Sequence, residues 1–240
     1  MLRFGPLLAL VPALAACGDP APRVVFVGQV GQIRKIKGVL VHPAQVQKVC
    51  DETMQKFGQI DILVNNAGAT WGAPTEDYPL EAWDKVMNLN IRSIFLMSQQ
   101  IGKRSMIPRR RGRIINVASI AGLVPLRLQC AFVAAKAGVV NFTRALALEF
   151  GPEGIRANAV SPGAVETPLT TLTTGDPTAR AAFEGAIPVR RYGQPAEIAA
   201  AVAFLAADEA SFVNGANLLA DGGVTAGTGH PDVMALFNMG

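Results

Sequence analysis

The strongest constraint on the fold is a regular alternation of short apolar runs with longer stretches of helical periodicity. The short runs predict strands at residues 23–27, 39–41, 60–64, 113–117, 156–160 and 216–220. The longer stretches predict helices at residues 45–57, 80–105, 131–150 and 196–207. Strands joined through helices run parallel, and a parallel sheet needs helices on both faces. The alternation therefore predicts a doubly wound α/β fold.

Length and composition favour one packed domain. The chain has 240 residues, half of them hydrophobic and 17% charged, and no repeat or low-complexity linker divides it. Such a composition is typical of a globular protein and excludes a disordered or fibrous chain. We therefore predict a single domain with a large apolar core.

The charge distribution does not point to a nucleic-acid partner. The net charge is +4, but six of the 22 basic residues fall within residues 103–113, and no aromatic residue accompanies them there. Without this basic stretch, the acidic residues are in slight excess. We predict a solvated loop here, rather than a nucleic-acid or other anionic contact surface.

The cysteines indicate a reduced, cytoplasmic protein. Cys17, Cys50 and Cys130 are odd in number and widely spaced, and only two histidines accompany them in the sequence. This pattern predicts neither a disulfide framework nor a metal site.

The N-terminus raises a second localisation. Residues 1–17 carry one positive charge, a short apolar run and small residues before a cysteine, as a secretory signal does. The segment Leu14-Ala-Ala-Cys17 resembles a bacterial lipoprotein cleavage box, which would make Cys17 a lipidated residue and tether the protein to a membrane. The run is shorter than the ~20 apolar residues that cross a bilayer. An exported lipoprotein is therefore the alternative to a cytoplasmic protein, unless the run is an apolar helix packed on the sheet.

Polar residues follow the predicted strands at their carboxyl ends, or lie in the helices that come next. Ligands bind at this edge of doubly wound sheets. The sequence therefore predicts a binding site built from Asn65, Asn66, Asn90, Ser119, Lys136 and Thr167.

Six segments around these residues form an ordered series. They are Asp61-Ile-Leu-Val-Asn-Asn-Ala-Gly68, Asn88-Leu-Asn90-Ile, Gly112-Arg-Ile-Ile-Asn-Val-Ala-Ser119-Ile-Ala-Gly122, Ala134-Ala-Lys136-Ala-Gly, Ile155-Arg-Ala-Asn-Ala-Val-Ser-Pro162-Gly163-Ala-Val-Glu-Thr167-Pro and Asp221-Gly-Gly223. The series resembles the short-chain dehydrogenase/reductase family in order and spacing. With the helix before it, the resemblance covers residues 45–223, about three quarters of the chain. It implies one Rossmann-like domain that binds NAD or NADP and acts on a small alcohol or carbonyl compound.

In that family a tyrosine exchanges a proton with the substrate oxygen, while a nicotinamide exchanges a hydride with the carbon. The resemblance assigns the substrate-binding serine to Ser119, the lysine that lowers the tyrosine pKa to Lys136, and the asparagine of a proton path through water to Asn90. The tyrosine position lies four residues before the lysine and thirteen after the serine, and it is occupied by Phe132.

A phenylalanine there has the shape of the family's side chain but no proton to exchange. General acid–base catalysis typically contributes ~10² to 10⁴ in rate, so we predict weak or absent turnover. Tyr78 and Tyr192 lack the motif spacing, and Cys130 is predicted to be a small buried residue rather than a substitute acid.

The resemblance also implies a cofactor site in two halves. Its adenosine half lacks the family's Thr-Gly-x-x-x-Gly-x-Gly loop, whose glycines let the backbone close on a pyrophosphate. Gly28-Gln-Val-Gly31 offers two glycines after a strand, but this is a weak signal. The alignment that we prefer makes residues 7–17 the end of the first helix and residues 23–28 the second strand of the sheet, with Gln29 at the position that selects NAD or NADP. We predict residues 1–38 as an atypical segment and residues 39–240 as the family domain, with the first strand and glycine loop missing or degenerate. The nicotinamide half is complete, with Asn65, Ala67, Gly68, Lys136, Pro162, Gly163 and Thr167.

Three hypotheses about function remain open at this point. The chain is a weak or inactive oxidoreductase with a small-molecule substrate, a non-catalytic subunit or scaffold, or an exported lipoprotein that uses the domain for binding. The family's two long helices pack against a partner's copies, which implies a homodimer or homotetramer. A shifted reading frame before Val39 would also produce an unrelated N-terminus joined to a coherent remainder.

Overall fold

Five parallel strands form the sheet in the part of the chain that this computed structural model describes, which is Val24–Gly28 and residues 42–227. They are β1 (Val24–Gly28), β2 (Ile62–Asn66), β3 (Gly112–Val117), β4 (Ile155–Pro162) and β5 (Asn217–Ala220). Their spatial order is β1-β2-β3-β4-β5, and each neighbouring pair is parallel.

Helices connect these strands, close to where the sequence predicts them. The helix expected over residues 80–105 extends to Arg109, and two π-helical turns, Asn88–Arg92 and Gly102–Met106, interrupt its α-helical geometry. Two further short helices, at residues 171–174 and 177–186, lie where the apolar pattern predicts no helix or strand. The α-helices are α1 (Pro43–Phe57), α2 (Leu80–Met87), α3 (Ser93–Ile101), α4 (Ile107–Arg109), α5 (Cys130–Phe150), α6 (Thr171–Thr174), α7 (Pro177–Ala186) and α8 (Pro195–Ala206).

Helices cover both faces of the sheet. Successive strand residues point to opposite faces, so neighbouring residues pack against different helices. Leu63 of β2 packs in a buried cluster with residues of α1, α3 and α5, among them Met97. Its neighbour Val64 packs in a different cluster, with Val202 and Leu205 of α8. The predicted doubly wound architecture is therefore confirmed.

Helix α5 is a core element of this sheet. The stretch Cys130–Glu153 is apolar and long enough to cross a membrane by length and composition alone. In the fold, however, α5 buries Val139 and Leu146 in two of the clusters that pack on the sheet. We interpret its apolar character as that of a core helix, whose lysine lies in the cavity described below.

Strand β1 pairs directly with β2, with Val24 opposite Ile62 and Gly28 opposite Asn66. The common strand order of this fold is 3-2-1-4-5-6, in which the fourth strand pairs with the first and not with the second. If residues 24–28 were the second strand and residues 39–41 the third, residues 62–66 would be the fourth and would not pair with residues 24–28. The observed pairing therefore contradicts this alignment and favours β1 as the first strand of the fold. The loop after Gly28, the strand predicted at residues 39–41 and Cys17 lie outside the described residues.

Candidate active site

A cavity of about 300 Å³ lies at the carboxyl ends of β2, β3 and β4. The parallel sheet explains its position, because the loops after these strands all emerge at one edge. Eight of the ten residues that the sequence predicts for the catalytic and cofactor sites line this cavity. They are Gly68, Asn90, Ser119, Phe132, Lys136, Pro162, Gly163 and Thr167.

The other two, Asn65 and Ala67, are buried and do not line the cavity. The Asn65 side chain donates from Nδ2 to Asn116 Oδ1 at 2.8 Å, and Asn116 in turn donates to Thr143 Oγ1 at 2.9 Å. Asn65 thus ties β2 through β3 to α5, below the site. Its neighbour Asn66 lines the cavity instead.

Phe132 and Lys136 lie one turn apart on α5, and both face the cavity. Lys136 Nζ donates to the Val117 carbonyl oxygen at 2.7 Å and lies 5.6 Å from the centroid of the Phe132 ring. No carboxylate side chain is among the described residues that line the cavity. Burial without a compensating charge lowers the pKa of Lys136 to about 8.

Phe132 fills the position where the resemblance places a catalytic tyrosine. Its ring is 9% exposed and packs in a cluster with Val86, Ala121 and Ala131. Neither tyrosine takes over its role, because Tyr78 donates its hydroxyl to the Trp71 carbonyl and neither Tyr78 nor Tyr192 lines the cavity. No phenol or thiol is among the described lining residues.

Ser119 begins the loop that follows β3. Its Oγ accepts a hydrogen bond from the Ala121 backbone N–H at 3.1 Å, which caps a short 3₁₀ turn, Ile120–Gly122. The hydroxyl proton of Ser119 has no acceptor within the described chain, so it can be donated to an oxygen in the cavity.

Gly122 holds this loop close to α5. A Cβ at Gly122 would lie 2.7 Å from the backbone C and O of Lys136, closer than such atoms approach. Only a glycine therefore lets the Ser119 loop pack directly on the helix turn that carries Lys136.

Asn90 lies in the first π-helical turn, a feature often found at functional sites. Its Nδ2 donates to the carbonyl oxygens of Val86 and Ala69, at 2.8 and 2.7 Å. Its Oδ1 is buried and has no hydrogen-bond partner among the described residues. A Cβ at Gly68 would lie 2.9 Å from this oxygen and 3.8 Å from Lys136 Nζ, so the three groups surround one small space. A buried acceptor without a partner calls for a water or a ligand donor.

The sequence prediction missed one wall of the cavity. This wall is apolar, and its residues come from the loop after β4 and from α8: Val165, Leu169, Pro195, Ile198, Ala199 and Val202. The helix itself was predicted, but an apolar helix face that lines a cavity has the same pattern as one that packs on the sheet. Strand periodicity offered no signal for this assignment.

These residues fit the nicotinamide half of a dinucleotide cofactor. Lys136 has N–H donors without an acceptor in the described chain, and Asn90 Oδ1 is an unused acceptor. Gly163 approaches the chain after β5 closely, since a Cβ there would lie 2.8 Å from Asp221 Cα. The loop that would hold the pyrophosphate lies outside the described residues.

Comparison with known proteins gives concordant matches. A family model described as enoyl-(acyl carrier protein) reductase matches residues 37–225. D-threitol dehydrogenase of Mycolicibacterium smegmatis is 43% identical over 182 residues, which cover 76% of this chain and 69% of that protein. The 3-oxoacyl-(acyl-carrier-protein) reductase FabG of Thermotoga maritima is 40% identical over 180 residues, covering 75% of this chain and 72% of that protein.

Solved structures match the fold over a still larger share of the chain. A gluconate 5-dehydrogenase from Burkholderia cenocepacia, in complex with NADP and tartrate, superimposes with a TM-score of 0.81 at 30% identity and covers 94% of this chain and 92% of its own. The aldohexose dehydrogenase of Thermoplasma acidophilum, in ligand-free form, gives a TM-score of 0.75 at 31% identity, covering 80% of this chain and 78% of its own.

Proposed function

This chain belongs to the short-chain dehydrogenase/reductase family, and we propose that it is an oxidoreductase with impaired proton transfer. Its reaction would pass a hydride between NAD(P)(H) and a small alcohol or carbonyl compound. The observation that carries the proposal is Phe132, which stands one helical turn from Lys136 in a cavity without a phenol or thiol among its described lining residues.

The chain's own residues would orient and polarise the substrate oxygen. When bound, the nicotinamide would supply or accept the hydride at the substrate carbon. Ser119 would donate its free hydroxyl proton to the substrate oxygen, and the Lys136 ammonium would add positive charge to the same space. Ser119 does not replace the phenolic proton, because an aliphatic hydroxyl is a much weaker acid than a phenol and polarises the substrate oxygen without protonating it. The result is a site that binds and aligns the reactants but turns over slowly.

The nicotinamide end of the cofactor would be held by Gly68, Lys136, Pro162, Gly163 and Thr167, which line the cavity. NADP is bound in the complex of the Burkholderia cenocepacia relative, which supports a nicotinamide cofactor for this fold. The choice between NAD and NADP would depend on residues 29–41, which lie outside the described part of the chain.

Assembly into a homodimer would use the two long helices. Phe95 of α3 is 43% exposed and Leu148 of α5 is 79% exposed, and Phe95 meets Phe142 of α5 edge to face at 6.3 Å. Exposed apolar side chains on two adjacent helices favour burial against a second copy. Light scattering would give the mass of a dimer or tetramer, and Phe95→Asp together with Leu148→Asp would lower it to that of a monomer.

We place the protein in the cytoplasm, where nicotinamide cofactors reside. The lipoprotein alternative makes a different prediction for Cys17. Expression with a radiolabelled fatty acid would label the unchanged protein but not Cys17→Ala if the N-terminus is lipidated. An unlabelled protein in the soluble fraction supports the cytoplasmic assignment.

The test of the proposed function begins with cofactor binding. NADH and NADPH are titrated by fluorescence, and turnover is then measured with both on a panel of small aldehydes and ketones. We expect cofactor binding with little reduction. A turnover of several per second would contradict the proposed effect of Phe132. If the protein binds no cofactor at millimolar concentration and gains no activity when Phe132 is replaced by tyrosine, the remaining function is that of a non-catalytic subunit or scaffold.

A further inference from the structure

The environment of Lys136 allows a reaction that differs from the role that the family resemblance assigns to it. Its Nζ faces the Val117 carbonyl of β3, the Phe132 ring on its own helix and the space beside Asn90 Oδ1. No Asp, Glu, Arg or His is among the described residues that line the cavity. The amine therefore has neither a counter-ion nor a neighbouring cation in that cavity, and its surroundings are mainly apolar.

We propose that Lys136 is a nucleophilic amine that condenses with small aldehydes to form an imine inside the cavity. Desolvated lysines in apolar pockets form such imines with carbonyl substrates in other proteins. This proposal does not rest on the oxidoreductase function, because it needs no cofactor and no acid at position 132.

The protonation state of Lys136 supports this chemistry, because only a neutral amine has the lone pair that attacks a carbonyl carbon. Burial lowers the pKa of Lys136 from 10.5 to about 8. At pH 7 about a tenth of the side chain would be neutral, compared with roughly one part in three thousand for a lysine at the ordinary value.

The condensation balances without an oxidant or reductant. The Nζ lone pair forms a bond to the aldehyde carbon, and the carbonyl π pair moves to oxygen, which takes a proton from nitrogen to give a carbinolamine. The carbon–oxygen bond then breaks, the second nitrogen proton leaves with the oxygen as water, and the C=N bond forms. Ser119, whose hydroxyl proton is free within the described chain, can donate to the oxygen during attack and departure.

The shape of the cavity selects the class of aldehyde. Its volume of about 300 Å³ holds a compound of a few to about ten heavy atoms, and Val165, Ile198 and Val202 form an apolar wall. An apolar aldehyde of the size of benzaldehyde therefore suits the site better than a charged or strongly polar aldehyde.

The test is reductive trapping of the unchanged protein. Benzaldehyde and sodium cyanoborohydride are added at pH 7, and the benzylated lysines are identified by peptide mass mapping over time. Lys48, whose side chain is 76% exposed, serves as the internal reference for an ordinary lysine. We expect Lys136 to be benzylated about tenfold or more faster than Lys48, with a rate that reaches half its maximum near pH 8.

Two further arms complete this experiment. Lys136→Arg keeps a cation at the position but cannot form an imine, so it should lose that label while Lys48 keeps its rate. Adding NADPH should slow the benzylation of Lys136 if the cofactor binds in the cavity. Benzylation at an unchanged rate with NADPH would contradict the proposed cofactor site but would agree with imine formation. Labelling of Lys136 no faster than Lys48 in the unchanged protein would overturn the proposal, whether or not the variant folds.

Discussion

The amine nitrogen of Lys136 lies 5.6 Å from the centroid of the Phe132 ring, which precedes it by one turn of the same helix. At this distance a cation is attracted to the face of an aromatic ring. The ring helps to shield the amine from water, as a tyrosine ring would, but has no proton to exchange. The replacement therefore preserves the packing of the site and removes one step of its chemistry.

The buried amine should give the protein a distinctive pH dependence of stability. The pKa of Lys136 is about 8 in the folded state and 10.5 when unfolded, so between these values only the unfolded state binds the proton. The free energy of unfolding should therefore rise with pH across this range, by up to about 3 kcal/mol. Chemical denaturation at several pH values from 7 to 10.5 measures the rise.

Lys136→Met is the reference for this experiment, because it lacks the titrating group. Burial also raises the pKa of Cys50 to about 11, which lowers stability as pH rises above 9, but this effect is common to both proteins. The difference between the unchanged protein and the variant therefore isolates Lys136. Parallel stability curves would show that its pKa is not lowered.

The buried hydrogen bond between the side chains of Asn116 and Thr143 should be important for stability. Thr143 Oγ1 accepts from Asn116 Nδ2 at 2.9 Å and donates to the Val139 carbonyl at 2.7 Å. Thr143→Val removes the acceptor and leaves a buried amide N–H unpaired, so we expect a loss of about 1–3 kcal/mol in unfolding free energy.

Thr53→Val provides the matched control for Thr143. Thr53 donates to the Val49 carbonyl at 2.7 Å with the same four-residue spacing, but its hydroxyl has no side-chain partner within the part of the chain that the structure describes. Its replacement should change stability by well under 1 kcal/mol. Equal losses in the two variants would argue against a structural role for the Asn116 contact.

The close approach of Gly122 to α5 should be intolerant of any side chain. A Cβ there would lie 2.7 Å from the Lys136 backbone, which cannot yield as a flexible side chain could. Gly122→Ala should cost about 1–3 kcal/mol and weaken cofactor binding, because it moves the Ser119 loop away from the helix.

Gly185→Ala tests whether this effect is specific. Gly185 lies in α7, and a Cβ there meets nothing within 4 Å in the described chain. The substitution should be neutral or stabilise the protein by up to about 1 kcal/mol. Denaturant midpoints of the two variants are compared, and a tolerated Gly122→Ala would refute the assigned contact.

Much of the site follows from sequence because its residues are fixed by spacing. The four-residue interval between Phe132 and Lys136 places both on one helix face, and the strand ends at Gly68, Ser119 and Pro162 bring their loops to one edge of the sheet. These relations depend on local geometry and on topology, both of which the apolar pattern predicts.

Other features depend on tertiary packing that no local pattern encodes. Asn65 and Asn66 are adjacent and identical in type, yet only Asn66 lines the cavity, because neighbouring strand residues point to opposite faces. The π-helical turn that presents Asn90 has no sequence signature, and the apolar wall from Ile198 looks like ordinary core. The preferred alignment of β1 as the second strand of the sheet was wrong, because a short apolar run does not show which strand it pairs with.

In the proposed function Phe132 alone accounts for the missing proton transfer, and one substitution measures its effect most directly. Phe132→Tyr and a control, Phe142→Tyr, are compared with the unchanged protein in cofactor-saturated turnover of the same carbonyl compound. The control adds a phenol to the same helix, at a residue that does not line the cavity. We predict a gain of about 10² to 10⁴ in turnover for Phe132→Tyr and none for Phe142→Tyr. A protein that binds the cofactor and gains nothing from a tyrosine at position 132 would contradict this account.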